Sequence, residues 1–145
     1  MKEVTLALLM WINSNTPLAY QDQDLPEIVS ADQEQLVRLM YEGDVPQGLD
    51  VDSITVDGLY NHRDDKIYLH EKLDLAAPEG RAVLVHELVH YLQYQQGLEK
   101  VVPCMRKLEP AAYAAQGKYL EQHNKQAPFN QLHVLLVSMC TEHPM

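Results

Sequence analysis

The chain has 145 residues, 46% of them hydrophobic, enough to bury one sizeable core and too few for two ordinary domains, so residues 1–145 read as a single domain. Its 21 acidic residues outweigh 11 basic ones, for a formal net charge of -10, and no basic run offsets them, so neither nucleic acid nor anionic lipid is an expected partner. No apolar stretch approaches the roughly 20 residues that cross a bilayer, so no membrane span is expected.

Val4 to Ile12 (VTLALLMWI) is continuously apolar. It has the length of a signal-peptide core, but Glu3 cancels Lys2 and no clear small-x-small cleavage site follows, so a short helix covering the core is the preferred reading. The compartment is therefore not read from the sequence. Asn13 to Leu25 is polar, contains Pro17 and reads as a loop ending at Pro26. Ser30-Ala-Asp-Gln33 fits a capping box, with Ser30 as the cap, and predicts a helix to about Tyr41 with Leu36, Leu39 and Met40 as its apolar stripe.

From Ser53 to Leu69 the period shortens. Ile54, Val56 and Leu59 lie on one side of Asn61 to Asp65, Ile67 and Leu69 on the other, which predicts a hairpin as the only sheet. Pro78 suits a first helical position and Gly97 a terminator, predicting a helix of about five turns between them. Apolar spacing predicts further helices from about Met105 to Gln122 and from Asn130 to Cys140. This order gives an α+β fold. Cys104 and Cys140 lack the paired spacing of a cysteine zinc site; one bridge and two buried thiols both stand as readings.

The long helix carries Val83-Leu-Val-His86-Glu87-Leu-Val-His90-Tyr91-Leu92, an HExxH motif. Four residues advance a helix by about 400°, so His86 and His90 project from one face a turn apart, a spacing that lets both imidazoles reach one tetrahedral zinc ion. Glu87 lies about 60° round from His90, near the ion without being its ligand, where it can take a proton from water as the catalytic base. Val85, Leu88, Val89 and Leu92 fall on another face, so one side of the helix packs while another presents imidazoles. The plain alternative is a solvated face carrying two His and a Glu.

Gly58 to Leu120 resembles the zincin metallopeptidases, and more narrowly the small gluzincin-like domains similar to the ImmA-type regulatory proteases, in its hairpin (Gly58-Leu-Tyr60, Lys66-Ile-Tyr-Leu69), its HExxH helix and a later Leu108-Glu-Pro-Ala-Ala-Tyr113. The resemblance implies a small zincin-like domain that hydrolyses peptide bonds with Zn2+. It also implies a Glu from a following helix as third ligand, which here is Glu109, 18 residues (91–108) beyond His90. In such families the sheet edge beside the cleft binds peptide as an added strand. The longer metzincin pattern is excluded, because Gln93 and Gln96 stand where it needs Gly and His. Pro110 biases Glu109 away from helical geometry, so a helix is expected to begin or kink there, and Glu99, Glu121 and His123 are the substitutes for a third ligand.

A peptidase also needs a donor for the oxyanion of its tetrahedral intermediate. Tyr113, one turn beyond Glu109, is the first candidate, with Tyr94, Tyr68 and His70 behind it. His62, His133 and His143 read as solvent-facing. The alternatives to a zinc peptidase are a non-catalytic zinc-binding domain and a regulatory module that binds another protein through a metallopeptidase-like fold.

Overall fold

The computed structural model describes residues 1–21 and 24–141. Its fold is α+β, with helices around a three-stranded sheet of order β1-β3-β2. In chain order the elements are α1 (Lys2–Asn15), β1 (Glu27–Ala31), α2 (Gln33–Met40), β2 (Gly58–Asn61), β3 (Lys66–His70), α3 (Pro78–Gln95), α4 (Glu109–Gln122) and α5 (Gln131–Ser138). A 3-10 turn, Met105–Leu108, leads directly into α4.

The hairpin forms as expected, Leu59 opposite Tyr68 and Tyr60 opposite Ile67, but its strands are shorter than the apolar pattern suggested. Ile54 lies outside them, just beyond the 3-10 turn Val51–Ser53. The hairpin is also not the whole sheet. Glu27–Ala31 adds a parallel strand along β3, pairing Val29 with Tyr68 and Ala31 with His70. Helix α2 accordingly starts later than Ser30. Its cap is Asp32, which accepts from Gln35 N–H while the Gln35 side chain accepts from Asp32 N–H. Two capping boxes overlap in this sequence, and the pairing of Ile28 and Val29 with β3 selects the later one. Gln33, released from capping, donates to the Val51 and Ile54 carbonyls.

Helix α3 is the axis of the molecule. Val85, Leu88, Val89 and Leu92 are fully buried, as their common face predicted, and with Leu84 they meet Leu8, Leu9 and Ile12 of α1, Ile67 and Leu69 of β3, and Ala112 and Leu120 of α4 in one core. Gly97 ends this stretch with φ of 72°, the left-handed conformation that glycine adopts without a Cβ penalty. Helix α1 covers the core through its inner face, leaving Leu6 and Met10 outside. Cys104 and Cys140 form a disulfide that ties the end of α5 to the turn before α4. No helix among the described residues is long and apolar enough to cross a membrane.

Candidate metal centre

The site forms where α4 crosses α3. Glu109 is the first residue of α4 and, despite preceding Pro110, has helical φ and ψ of -67° and -41°. A proline in the first turn costs nothing there, because the amide it lacks would have no helical partner. The preceding 3-10 turn delivers Glu109 over the two imidazoles. His86 Nε2 lies 3.4 Å from Glu109 Oε1, and His90 Nε2 contacts the same oxygen directly. One ligand atom from each residue lies within 4.8 Å of the others, and no other such trio of His, Cys, Asp or Glu gathers among the described residues. Donors at about 2.1 Å from a tetrahedral ion stand about 3.4 Å apart; the His86–Glu109 spacing matches this, and the closer His90–Glu109 contact would have to open for an ion to enter. Two imidazole nitrogens and one carboxylate form a donor set suited to zinc, with a fourth position left for water or substrate.

Two glutamines that the sequence reading did not assign orient the imidazoles. Gln93, only 2% exposed, accepts from His90 Nδ1 at 2.8 Å through Oε1 and donates to the Leu108 carbonyl at 2.9 Å through Nε2. The carbonyl fixes the amide's orientation, so the oxygen faces His90 and Nδ1 carries the proton. Nε2 is then the nitrogen that faces Glu109, donating to it when the ring is protonated and free to bind a metal when it is not. Gln116 of α4 makes the matching contact with His86 Nδ1 at 2.9 Å. Outer partners of this kind fix tautomer and ring direction in metal-binding histidines. Gln93 does a second job, holding the residue before Glu109 against the helix that carries both imidazoles.

The charges are strongly coupled. Burial alone lowers the His90 imidazole, but its hydrogen bond to Glu109 and the charges of Glu87 and Glu109 outweigh this and leave it raised. Burial raises Glu109, yet hydrogen bonds from both imidazoles hold it well below the usual carboxylate range. Glu109 is thus a negative group set against both imidazoles, a place that a bound cation would also favour.

Glu87, 7% exposed, lines the same cleft, and its Oε1 accepts from the Tyr60 amide of β2 at 3.0 Å. Strand β2 approaches this closely because Gly58 has no side chain: a Cβ there would stand 3.3 Å from Glu87 Cγ and 3.1 Å from Leu69 Cδ2. The cleft has a volume of about 510 Å³, and its lining includes Leu59 and Tyr60 of β2 together with Met105, Arg106 and Val137. A slightly roomier groove of about 600 Å³ lies between α2 and the sheet and includes none of the converging trio.

Tyr113 lines the same cleft, its ring packed edge-on against His86 with centroids 4.6 Å apart. Burial and the charges of Glu109 and Glu87 push its phenol up to about 12, so it keeps its proton at neutral pH. His133, expected to face solvent, is exposed but also lies 3.3 Å from the Tyr113 hydroxyl through Nε2. His62 is exposed and stacks on Tyr94; His143 lies outside the described residues. Tyr94 reaches the cleft, whereas the Tyr68 hydroxyl bonds Asp64 and His70 Nδ1 accepts from Lys72 N–H. None of the substitute ligands joins the trio: Glu121 is exposed, His123 bonds the Tyr119 carbonyl, and Glu99 lines a separate pocket beside Tyr94.

Glu109, Tyr113 and Gln116 recur at helical spacing along one face of α4, and Gln93 follows His90 by one turn. That polar stripe is the signal from which both glutamines are recoverable in the sequence. Neither a curated protein nor a solved structure matches the chain. The model of one family, described as "Domain of unknown function (DUF6647)", matches residues 1–145, and the chain belongs to that family.

Proposed function

We propose that this protein is a zinc-dependent hydrolase of peptide bonds, similar in chemistry to the HExxH metallopeptidases that its sequence resembles. The observation that carries the reading is the convergence of His86, His90 and Glu109 on one point, with the Glu87 carboxylate in the same cleft. Zinc bound by the three ligands supplies Lewis acidity and makes nearby water easier to deprotonate. Glu87 takes a proton from the attacking water as its oxygen bonds the peptide carbonyl carbon. The same carboxyl returns the proton to the amine nitrogen as the C–N bond breaks, so Glu87 ends the cycle as it began. Tyr113, still protonated at neutral pH, offers a hydroxyl to the developing oxyanion.

One contact favours a second reading. The bond from Tyr60 N–H to Glu87 joins α3 to the sheet, a role Glu87 would also have in a non-catalytic zinc domain. Glu87→Gln separates the two. In a peptidase the variant keeps zinc and loses turnover of peptide libraries by about 100-fold or more. A wild-type protein that binds zinc but cleaves nothing, and captures a protein intact, supports a binding module instead.

A further inference from the structure

We propose that Arg106 is a specificity-determining residue that holds a substrate carboxylate in the metal cleft. The inference rests on the peptidase reading and names the substrate class it would take. Arg106 sits in the turn Met105–Leu108, three residues before Glu109, and lines the cleft. It is the one Lys or Arg among the lining residues. The protein has four arginines, and the other three are engaged: Arg38 with Glu34, Arg63 with Glu42, and Arg81 with the Tyr119 hydroxyl and the Leu75 and Ala76 carbonyls. The exposed Arg106 guanidinium has no hydrogen-bond or ion-pair partner among the described residues, in a chain where 21 acidic side chains outnumber 11 basic ones.

The two carboxylates that line the cleft with it are already engaged. Glu109 faces His86 and His90, and Glu87 accepts from Tyr60 N–H. The turn is also anchored at both ends, by the Cys104–Cys140 disulfide before it and by Gln93 on the Leu108 carbonyl at its end. The guanidinium therefore starts from a fixed backbone beside the metal ligands, offering the planar fork that binds a carboxylate through two parallel hydrogen bonds. Elsewhere the net charge of -10 disfavours acidic ligands, so the attraction is local and acts within the roughly 8 Å over which charge survives physiological salt.

Two substrate groups share this chemistry, an Asp or Glu side chain and a free chain terminus. Four fluorescein-labelled octapeptides of one Ala/Leu sequence separate them: an internal Glu with an amidated terminus, an internal Gln with a free terminal carboxylate, the Gln peptide amidated, and the same with Lys for Gln. Binding is read by anisotropy on zinc-loaded Glu87→Gln protein, and cleavage on the wild type. One of the two acidic peptides is expected to bind about fivefold tighter than the Gln amide, which identifies the group recognised. In Arg106→Gln that ratio should collapse towards one, and 0.5 M salt should reduce it. Preference for the Lys peptide, equal binding of all four, or an acidic preference that survives Arg106→Gln overturns the assignment while leaving peptidase activity intact. Zinc binding without cleavage of any peptide, or no zinc at all, overturns the peptidase reading and this inference with it.

Discussion

Replacing Gln93 by Leu tests whether a residue outside the ligand set positions the metal site. The side chain is 2% exposed and makes two hydrogen bonds, to His90 Nδ1 at 2.8 Å and from its own amide to the Leu108 carbonyl at 2.9 Å. Leucine fills similar space and leaves both partners buried without one. Each orphaned group costs about 1–3 kcal/mol, so unfolding free energy should fall by roughly 2–6 kcal/mol. The metal site should suffer separately. With no acceptor at Nδ1 the His90 tautomer is no longer fixed, and without the tie to Leu108 the approach of Glu109 loosens. Loss of such outer partners typically weakens metal binding 10–100-fold, about 1.4–2.7 kcal/mol. The assay is competition for zinc against a chromophoric chelator, with urea unfolding of the metal-free proteins measured in parallel. Gln93→Glu is the informative companion, because it restores an acceptor for His90 but not a donor for Leu108, and should recover part of the affinity. Unchanged zinc affinity in Gln93→Leu, alongside the loss of stability, would refute the positioning role and leave Gln93 as a packing residue.

Reduction of the Cys104–Cys140 bridge frees a loop closed over a sequence separation of 36, which on the chain-entropy scale removes about 4 kcal/mol of stability; urea midpoints with and without a dithiol check this, and coincident curves contradict it. Gly80→Ala would place a Cβ 2.0 Å from the Asp74 carbonyl oxygen and should destabilise by about 3 kcal/mol or more, whereas at Gly117 of α4 the nearest atom is 3.8 Å away and Ala should add up to about 1 kcal/mol; thermal melts of the two variants should shift in opposite directions. In metal-free protein His90 is raised above its ordinary 6.5, so its contribution to stability is complete below about 6.5 and lost as pH rises through the folded value. Glu109 is lowered from 4.5, so its contribution is present above about 4.5 and lost as pH falls through the folded value. Metal-free protein should therefore be most stable in mildly acid solution and weaken on the alkaline side, while zinc, which needs deprotonated ligands, shifts the optimum upward; a metal-free melting profile with no alkaline decline contradicts the coupling.

The parts of the structure that were legible in the sequence are those encoded by local pattern. The burial of Val85, Leu88, Val89 and Leu92 follows from helical periodicity, and the shared face of His86 and His90 from their spacing alone. The position of Glu109 beside them came from a resemblance, because nothing within its own segment says which helix it will cross. Strand β1 was not legible for a similar reason: Glu27–Ala31 has only five residues, and its partner β3 is reached after α2 and β2. The overlap of Ser30-Ala-Asp-Gln33 with Asp32-Gln-Glu-Gln35 left the helix start degenerate until that pairing chose between them. Disulfide formation between Cys104 and Cys140 likewise depends on how α5 packs against α4, which spacing does not encode.

Zinc content measured by elemental analysis in purified wild-type protein and in His90→Ala gives the most direct test of the centre built from His86, His90 and Glu109. One zinc per chain in the wild type, absent from the variant, is the predicted result. Equal zinc in both proteins, or none in the wild type after exposure to the ion, would contradict it.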